Sequence, residues 1–219
     1  DKNLIEEYSL KINELNIEYI IIENVISKDN FYEEIKNLNN FSIKFYDFEN
    51  ECLLLENLNL RKKFIDLDGY WTHDNDNDHV FDEMLAAKLI DICKNKTLAD
   101  LGCGNAQYVK YLNNNNCNAV GYDGNPNVLK YENCNVLNLT KDIKFKKKFD
   151  IVLCLEVGEH IPEEYENMLI NNITKICKEK IIISWAIPEQ EGFGHINCKE
   201  NKHIISLIEE KKFKYSSVE

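Results

Sequence analysis

No two cysteines of this 219-residue chain stand in a C-x-x-C spacing, although there are eight of them. That absence argues against a zinc site built on paired thiols. Cys103 and Cys154 fall within segments expected to be core, so the cysteines read as reduced thiols of a cytoplasmic protein rather than as a disulfide framework. A continuous apolar run long enough to cross a membrane is also missing, and no signal peptide is visible. The chain starts at Asp1 rather than Met, so we expect a trimmed N-terminus, and a targeting segment ahead of it stays open. Basic faces are scarce as well. The one short run, Lys144 to Lys148, precedes an expected strand at Phe149 and reads as a solvated loop. With 26 basic against 38 acidic residues and a net charge of −12, the chain is poorly suited to gripping a phosphate backbone, and nucleic acid is set aside as a partner.

What remains is an ordinary soluble composition, 44% hydrophobic and 29% charged, in a chain long enough for one α/β domain with an added subdomain. Apolar runs centred on Leu101, Val120, Val136, Val152 and Ile182 predict strands. Helical spacing predicts helices at 78–93, 107–113, 163–177 and 201–212, with Asp78 as a good N-cap for the first and Pro162 at the start of the third. Such alternation implies an α/β fold with a doubly wound, mainly parallel sheet covered on both faces. Residues 1–68 form a small α/β extension, with helices expected at 4–15 and 31–38 and strands at 19–22, 41–45 and 52–55. It is open as a lid, a recognition piece or a dimerisation element, and residues 69–219 form the main domain. The asparagines around Asn115 read as a surface turn.

The richest segment is Leu98-Ala-Asp-Leu-Gly-Cys-Gly-Asn105. A buried strand runs into a turn with two glycines, Gly102 and Gly104, and then into a helix. Glycines there let the backbone approach a ligand, and the helix start offers free amides. Tightening of a strand–helix turn explains the same glycines without a ligand. The next strand ends in Val120-Gly-Tyr-Asp123-Gly-Asn-Pro126, which puts an acid where a ribose hydroxyl is commonly held; a plain Asp-Gly turn is the competing explanation. The two patterns together resemble the class I S-adenosylmethionine-dependent methyltransferases, whose glycine loop is D-L-G-C-G and whose ribose contact is an acid after the second strand. The third glycine of nicotinamide enzymes is absent, with Ala106 in its place. The resemblance implies S-adenosylmethionine as cofactor. It places Asp100, Gly102, Cys103, Gly104, Asp123, Gly124, Asn125, Leu139 and Leu155 around the cofactor, and Asn138 at the adenine, where that family often has Asp. It also implies that Gly69-Tyr-Trp-Thr-His73 covers the cofactor. The family ends in an antiparallel hairpin, of which only a strand at 214–218 fits here, so we expect a truncated hairpin.

After the fourth strand comes Glu156-Val-Gly-Glu159-His160-Ile-Pro162. One turn of helix would point Glu156, Glu159 and His160 to one side, and two carboxylates with an imidazole suit a divalent ion. E-x-x-E-H at this position resembles the metal-dependent O-methyltransferases, notably the small-RNA 2′-O-methyltransferases and those of the ubiquinone pathway. In that family the acids and the histidine hold a divalent cation and a further histidine completes the set, for which His195 is the candidate. The implied ion is Mg²⁺ or Mn²⁺ ahead of Zn²⁺. Alternatives stay open: Glu159 as a helix-start acid, His160 as a metal-free general base, and His195 as a loop histidine. His73, His79 and His203 show no partner pattern, and His203 is expected to be solvated. The longer strings Y-D-G-N-P, L-E-V-G-E-H-I-P-E-E-Y-E and S-W-A-I-P-E-Q-E-G-F-G-H-I-N resemble an incompletely characterised methyltransferase-domain family of viruses, bacteria and animals, from about Gly69 onward.

The first expectation is therefore a metal-assisted O-methyltransferase, with Glu156, Glu159 and His160 at the reacting centre. Its acceptor would be a small polar molecule such as a carbohydrate or a nucleotide-linked or phosphorylated sugar, with a homodimer possible in form and no membrane partner. The second is a metal-independent methyltransferase that uses His160 as base on a protein or RNA. The third is a non-catalytic binding module, which has no need of converging carboxylates.

Overall fold

The computed structural model describes residues 19–22, 41–47, 52–57, 65–72 and 79–216. The helices expected at 4–15 and 31–38, Asp78 and His73 lie outside these residues. The chain forms two compact units, Asp1–Ile65 and Asp66–Glu219. In the first, β1 (Tyr19–Ile22), β2 (Phe41–Asp47) and β3 (Cys52–Asn57) make an antiparallel sheet in the order β1-β3-β2, with a register shift between Ile43 and Phe45.

The second unit holds a five-stranded parallel sheet of β4 (Thr97–Leu101), β5 (Asn118–Asp123), β6 (Cys134–Val136), β7 (Phe149–Cys154) and β8 (Cys177–Ile183). Its order is β6-β5-β4-β7-β8. All five expected strands are present. The order reverses between β4 and β7, and ligands of open α/β sheets bind in the crevice beyond the carboxyl ends of the strands at such a switch point. Period-two alternation shares the strands between two cores. Leu98, Ile151 and Leu153 pack with Leu89, Cys93, Val109 and Leu112, which come from α1 (Glu83–Cys93) and α2 (Gln107–Asn114). Ala99, Leu101, Val152 and Cys154 pack with Leu169, Ile170, Ile173 and Ile204, which come from α3 (Glu166–Ile176) and α4 (Asn201–Glu209). Each fully buried leucine or isoleucine here stabilises the fold by about 1.5–3 kcal/mol through removal from water.

Several boundaries differ from those expected. Helix α1 starts at Glu83, because the Asp82 carboxylate accepts from Leu85 N at 3.0 Å and caps it there. Phe81 lies ahead of the helix and packs on the rings of Tyr108 and Tyr111. The helix expected at 163–177 opens as a short 3₁₀ turn over Glu163–Tyr165, and Cys177 already belongs to β8. Helix α4 ends at Glu209, and no strand runs through Lys214–Ser216.

Two polar knots, the second of them buried, hold the sheet and its loops in place. At the amino end of the sheet Asp150 accepts from Thr97 N (2.8 Å) and Thr97 Oγ1 (2.7 Å) and pairs with Lys178, which aligns β4, β7 and β8. On α3, the fully buried Asn172 donates to Leu139 O and Lys141 O, both at 2.8 Å, and accepts from Ile143 N. That amide fixes the segment after β6, which carries Asn138 and Leu139, against the helix layer.

Candidate active site

The cofactor half is built by the turn after β4. Gly102 (φ +80°), Gly104 (φ +49°) and Ala106 (φ +59°) all take the left-handed conformation. At Gly102 a side chain is also shut out, because its Cβ would lie 2.3 Å from Val157 Cγ2. Ala106, the residue where a third glycine is missing, adopts the strained backbone nonetheless. Gly102 N and Cys103 N both donate to Tyr122 O, at 2.7 and 3.1 Å, which ties the loop to β5. Asp123, at the end of β5, accepts from Gly104 N through Oδ2 (2.9 Å) and from Asn125 N through Oδ1 (2.8 Å). Burial pushes its carboxyl up, while these main-chain donors pull it back. Each of its oxygens keeps a second lone pair for a ligand hydroxyl. Asp100 is more deeply placed, and desolvation, aided by Cys134 and Asp123, pushes its carboxyl up to about 8.

These groups face a cleft of about 490 Å³. All ten residues that the sequence assigned to the cofactor line it: Asp100, Gly102, Cys103, Gly104, Asp123, Gly124, Asn125, Asn138, Leu139 and Leu155. Tyr70 and His79 lie along it too, Tyr70 packed on Gly124 and His79 on Gly104, where an added Cβ would come within 2.4 and 2.6 Å of their rings. Of the Gly69–His73 segment, Tyr70 reaches Gly124; His79, on Gly104, lies outside that segment. One N–H of Asn138 is committed to Asp68 at 2.5 Å, and its Oδ1 accepts from Thr140 N at 2.8 Å. Asp68 is a cleft residue that no motif in the sequence marked; Ser184 opens the S-W-A-I-P string, but nothing in that string gave it a role.

The other half of the cleft follows β7. Glu156 is left-handed (φ +54°), a costly conformation for a residue with a side chain. Its N–H donates to Ser184 Oγ at 2.8 Å, and Ser184 Oγ donates back to Glu156 Oε1 at 2.6 Å. The helical face expected for Glu156, Glu159 and His160 does not form, because the only turn is the three-residue 3₁₀ segment Gly158–His160. Trp185 packs on Gly158, leaving no room for a side chain there.

Glu159 is completely buried, and neither of its carboxylate oxygens has a hydrogen-bond partner among the described residues. Burial, reinforced by the nearby Glu156 charge, pushes its carboxyl up to about 7; the N–H groups of Glu159 and Ala186 oppose this without completing hydrogen bonds. One carboxylate oxygen of Glu159 and one ring nitrogen each of His160 and His195 lie within 4.8 Å of one another. Glu156 stands outside this group, held by Ser184. His160 Nδ1 lies 3.2 Å from Gly194 O, and His195 Nδ1 lies 3.1 Å from Gln190 O. These carbonyls call for a proton on Nδ1, which leaves the lone pair of each imidazole on Nε2. The loop that brings His195 here is pinned by Ile196 N and Asn197 N, which donate to Glu159 O at 2.8 and 3.0 Å. Trp71 stands edge-on to the His160 ring, 5.5 Å between centroids, and joins this cluster to the cleft that His160 lines. His203 is exposed, as expected, and its ring also meets the buried Glu166 carboxylate at 2.7 Å, because α4 packs against the start of α3.

Residues 99–182 match the family model described as a methyltransferase domain. Over that stretch the chain is similar to methyltransferase domains. Its doubly wound sheet and glycine loop have the architecture of the class I, S-adenosylmethionine-dependent enzymes. No curated protein matches the chain. Among solved structures, the methyltransferase domain is similar to magnesium protoporphyrin IX methyltransferase (ChlM) from Synechocystis PCC 6803 with bound S-adenosylhomocysteine. The two are 17% identical with a TM-score of 0.49, over 61% of this chain and 74% of that one. It is also similar to a methyltransferase from Archaeoglobus fulgidus (19% identity, TM-score 0.49, 60% and 69% coverage). A third is the N-methyltransferase NodS from Bradyrhizobium japonicum WM9 (14% identity, TM-score 0.48, 62% and 80% coverage).

Proposed function

We propose that this methyltransferase transfers the methyl group of S-adenosylmethionine to a hydroxyl of a small polar acceptor, with a divalent cation held by Glu159, His160 and His195. The observation that supports this most is Glu159. A fully buried carboxylate without a hydrogen bond is costly unless something charged completes it. One carboxylate and two imidazoles, both with Nδ1 on a main-chain carbonyl, form a donor set that fits Zn²⁺ or Mn²⁺ better than the oxygen-preferring Mg²⁺. When bound, such an ion supplies Lewis acidity that lowers the pKa of an acceptor hydroxyl.

The chain's own residues do the rest. Asp123 and the Gly102–Gly104 loop hold the cofactor's ribose and its carboxylate-bearing end. Asp100, a carboxyl pushed up by burial, gains a partner for its charged form in the cofactor's ammonium group. Glu156, fixed on the cleft wall by Ser184, is the carboxylate placed to take the hydroxyl proton. Trp71 and His79 shield that end of the cleft from water. The acidic balance of the sequence, −12, favours a carbohydrate or a phosphorylated or nucleotide-linked sugar over a nucleic acid.

The test is turnover on a sugar panel with and without chelator. The reading expects chelation to abolish turnover, added Mn²⁺ or Mg²⁺ to restore it, and S-adenosylhomocysteine affinity to stay nearly constant throughout. Full turnover in excess chelator would remove the cation and leave His160 as a plain general base.

A further inference from the structure

Two thiols meet beneath the cofactor loop. Cys103 sits between Gly102 and Gly104, and its N–H is bonded to Tyr122 O of β5. Cys134 opens β6, directly opposite Gly121 of β5 in the parallel register. Because residue 121 has no side chain, both sulfurs fill the space its Cβ would take: that point lies 2.7 Å from Cys103 Sγ and 2.8 Å from Cys134 Sγ. The two cysteines are equally buried, 8% exposed each, and Cys103 lines the cleft.

We propose that Cys103 and Cys134 are a modification site, oxidised by hydrogen peroxide to a disulfide that locks the cofactor loop onto β6. The Cys134 thiol donates to Glu132 O at 3.5 Å, and the neighbouring Cys103 thiol holds the Cys134 pKa below that of an ordinary cysteine, which favours attack. The Cys134 thiolate attacks one peroxide oxygen, the O–O bond breaks, and the released hydroxide takes a proton to become water. Cys103 sulfur then attacks the sulfenic sulfur. The S–S bond forms, the S–O bond breaks, and the departing hydroxide leaves as water with the Cys103 proton. Two electrons pass from the thiol pair to the peroxide, and one peroxide yields two waters. A second neighbouring pair, Cys93 and Cys117, is a built-in control. Burial pushes Cys93 up to about 12 and raises Cys117 as well, so neither supplies a thiolate.

The crosslink stands independently of the function proposed above; its effect on the cofactor rests on that reading. The experiment treats the full chain with hydrogen peroxide, with and without S-adenosylhomocysteine, then alkylates and digests it without reduction. Lys110 and Lys130 allow trypsin to separate the two segments. The expected product is a Cys103–Cys134 linked peptide, formed more slowly with S-adenosylhomocysteine present. The oxidised chain should bind S-adenosylhomocysteine about tenfold or more weaker, reversed by dithiothreitol, as a reversible disulfide requires. In Cys134→Ser peroxide should leave the affinity of that variant unchanged. Alkylation of both thiols after peroxide, or a Cys93–Cys117 link in their place, would overturn the site. A Cys103–Cys134 link with undiminished affinity would overturn the lock. Reduced wild-type chain that fails to bind S-adenosylhomocysteine would instead sink the cofactor reading, while the linked peptide still decides the thiol site.

Discussion

The two sides of the cleft treat their buried acids in opposite ways. On the β4–β5 side, Asp123 is buried and satisfied, each oxygen taking a main-chain N–H from the loops it joins. On the β7–β8 side, Glu159 is buried and unsatisfied, facing two imidazoles whose orientation is fixed by carbonyls behind them. The first side is complete as a protein structure and needs only shape and spare lone pairs to take a ligand. In the function proposed above, a cation completes the second. A buried acid without a partner therefore carries more functional information than one whose bonds are closed.

That contrast can be broken most forcefully at Glu159. Replacing it with Gln keeps the volume and removes the charge, and turnover should fall by about 100-fold or more, beyond the 10–100-fold typical for losing a supporting group. Stability checks the same residue. Because the folded carboxyl titrates near 7, above its ordinary value of 4.5, the wild-type fold should lose stability as pH rises from 4.5 through about 7. Thermal melts of metal-free Glu159→Gln should show a shallower decline, the remainder coming from buried acids such as Asp100, also pushed up, to about 8. Next, His195→Ala should weaken metal affinity by roughly 10–100-fold, with part of the rate recovered at raised metal concentration; a rate that ignores added metal would make His195 a loop residue only. On the satisfied side, Asp123→Ala should weaken S-adenosylhomocysteine binding by about 1–3 kcal/mol in calorimetry and leave metal affinity alone. The smallest effect belongs to Ser184→Ala, which frees Glu156. We expect a several-fold lower kcat, roughly 1 kcal/mol of transition-state stabilisation, with S-adenosylhomocysteine affinity unchanged.

The satisfied side was the more legible in sequence. Glycine spacing, strand alternation and an acid at a strand end are local signals, and local backbone geometry is what makes Gly102, Gly104 and Asp123 meet. The acceptor side depends on contacts across distance. E-x-x-E-H suggested a helical face, yet the chain instead places Glu156 in a left-handed kink and turns only three residues, so Glu159 and His160 meet His195 through a loop pinned to Glu159 O. Helix α1 began late because Asp82, rather than Asp78, caps it, a choice between two equally good capping residues. Asp68 gave no signal, and Ser184 none beyond opening the S-W-A-I-P string. Their importance comes from Asn138 and Glu156, partners 70 and 28 residues away.

The central claim is that Glu159, His160 and His195 hold a divalent cation. Calorimetric titration of Mn²⁺ into the chelator-stripped full chain, beside Glu159→Gln, addresses it without needing the acceptor. The account predicts one site per wild-type chain, proton release on binding, and no detectable site in Glu159→Gln. Absent binding to the wild type, or equal binding to both chains, would contradict it.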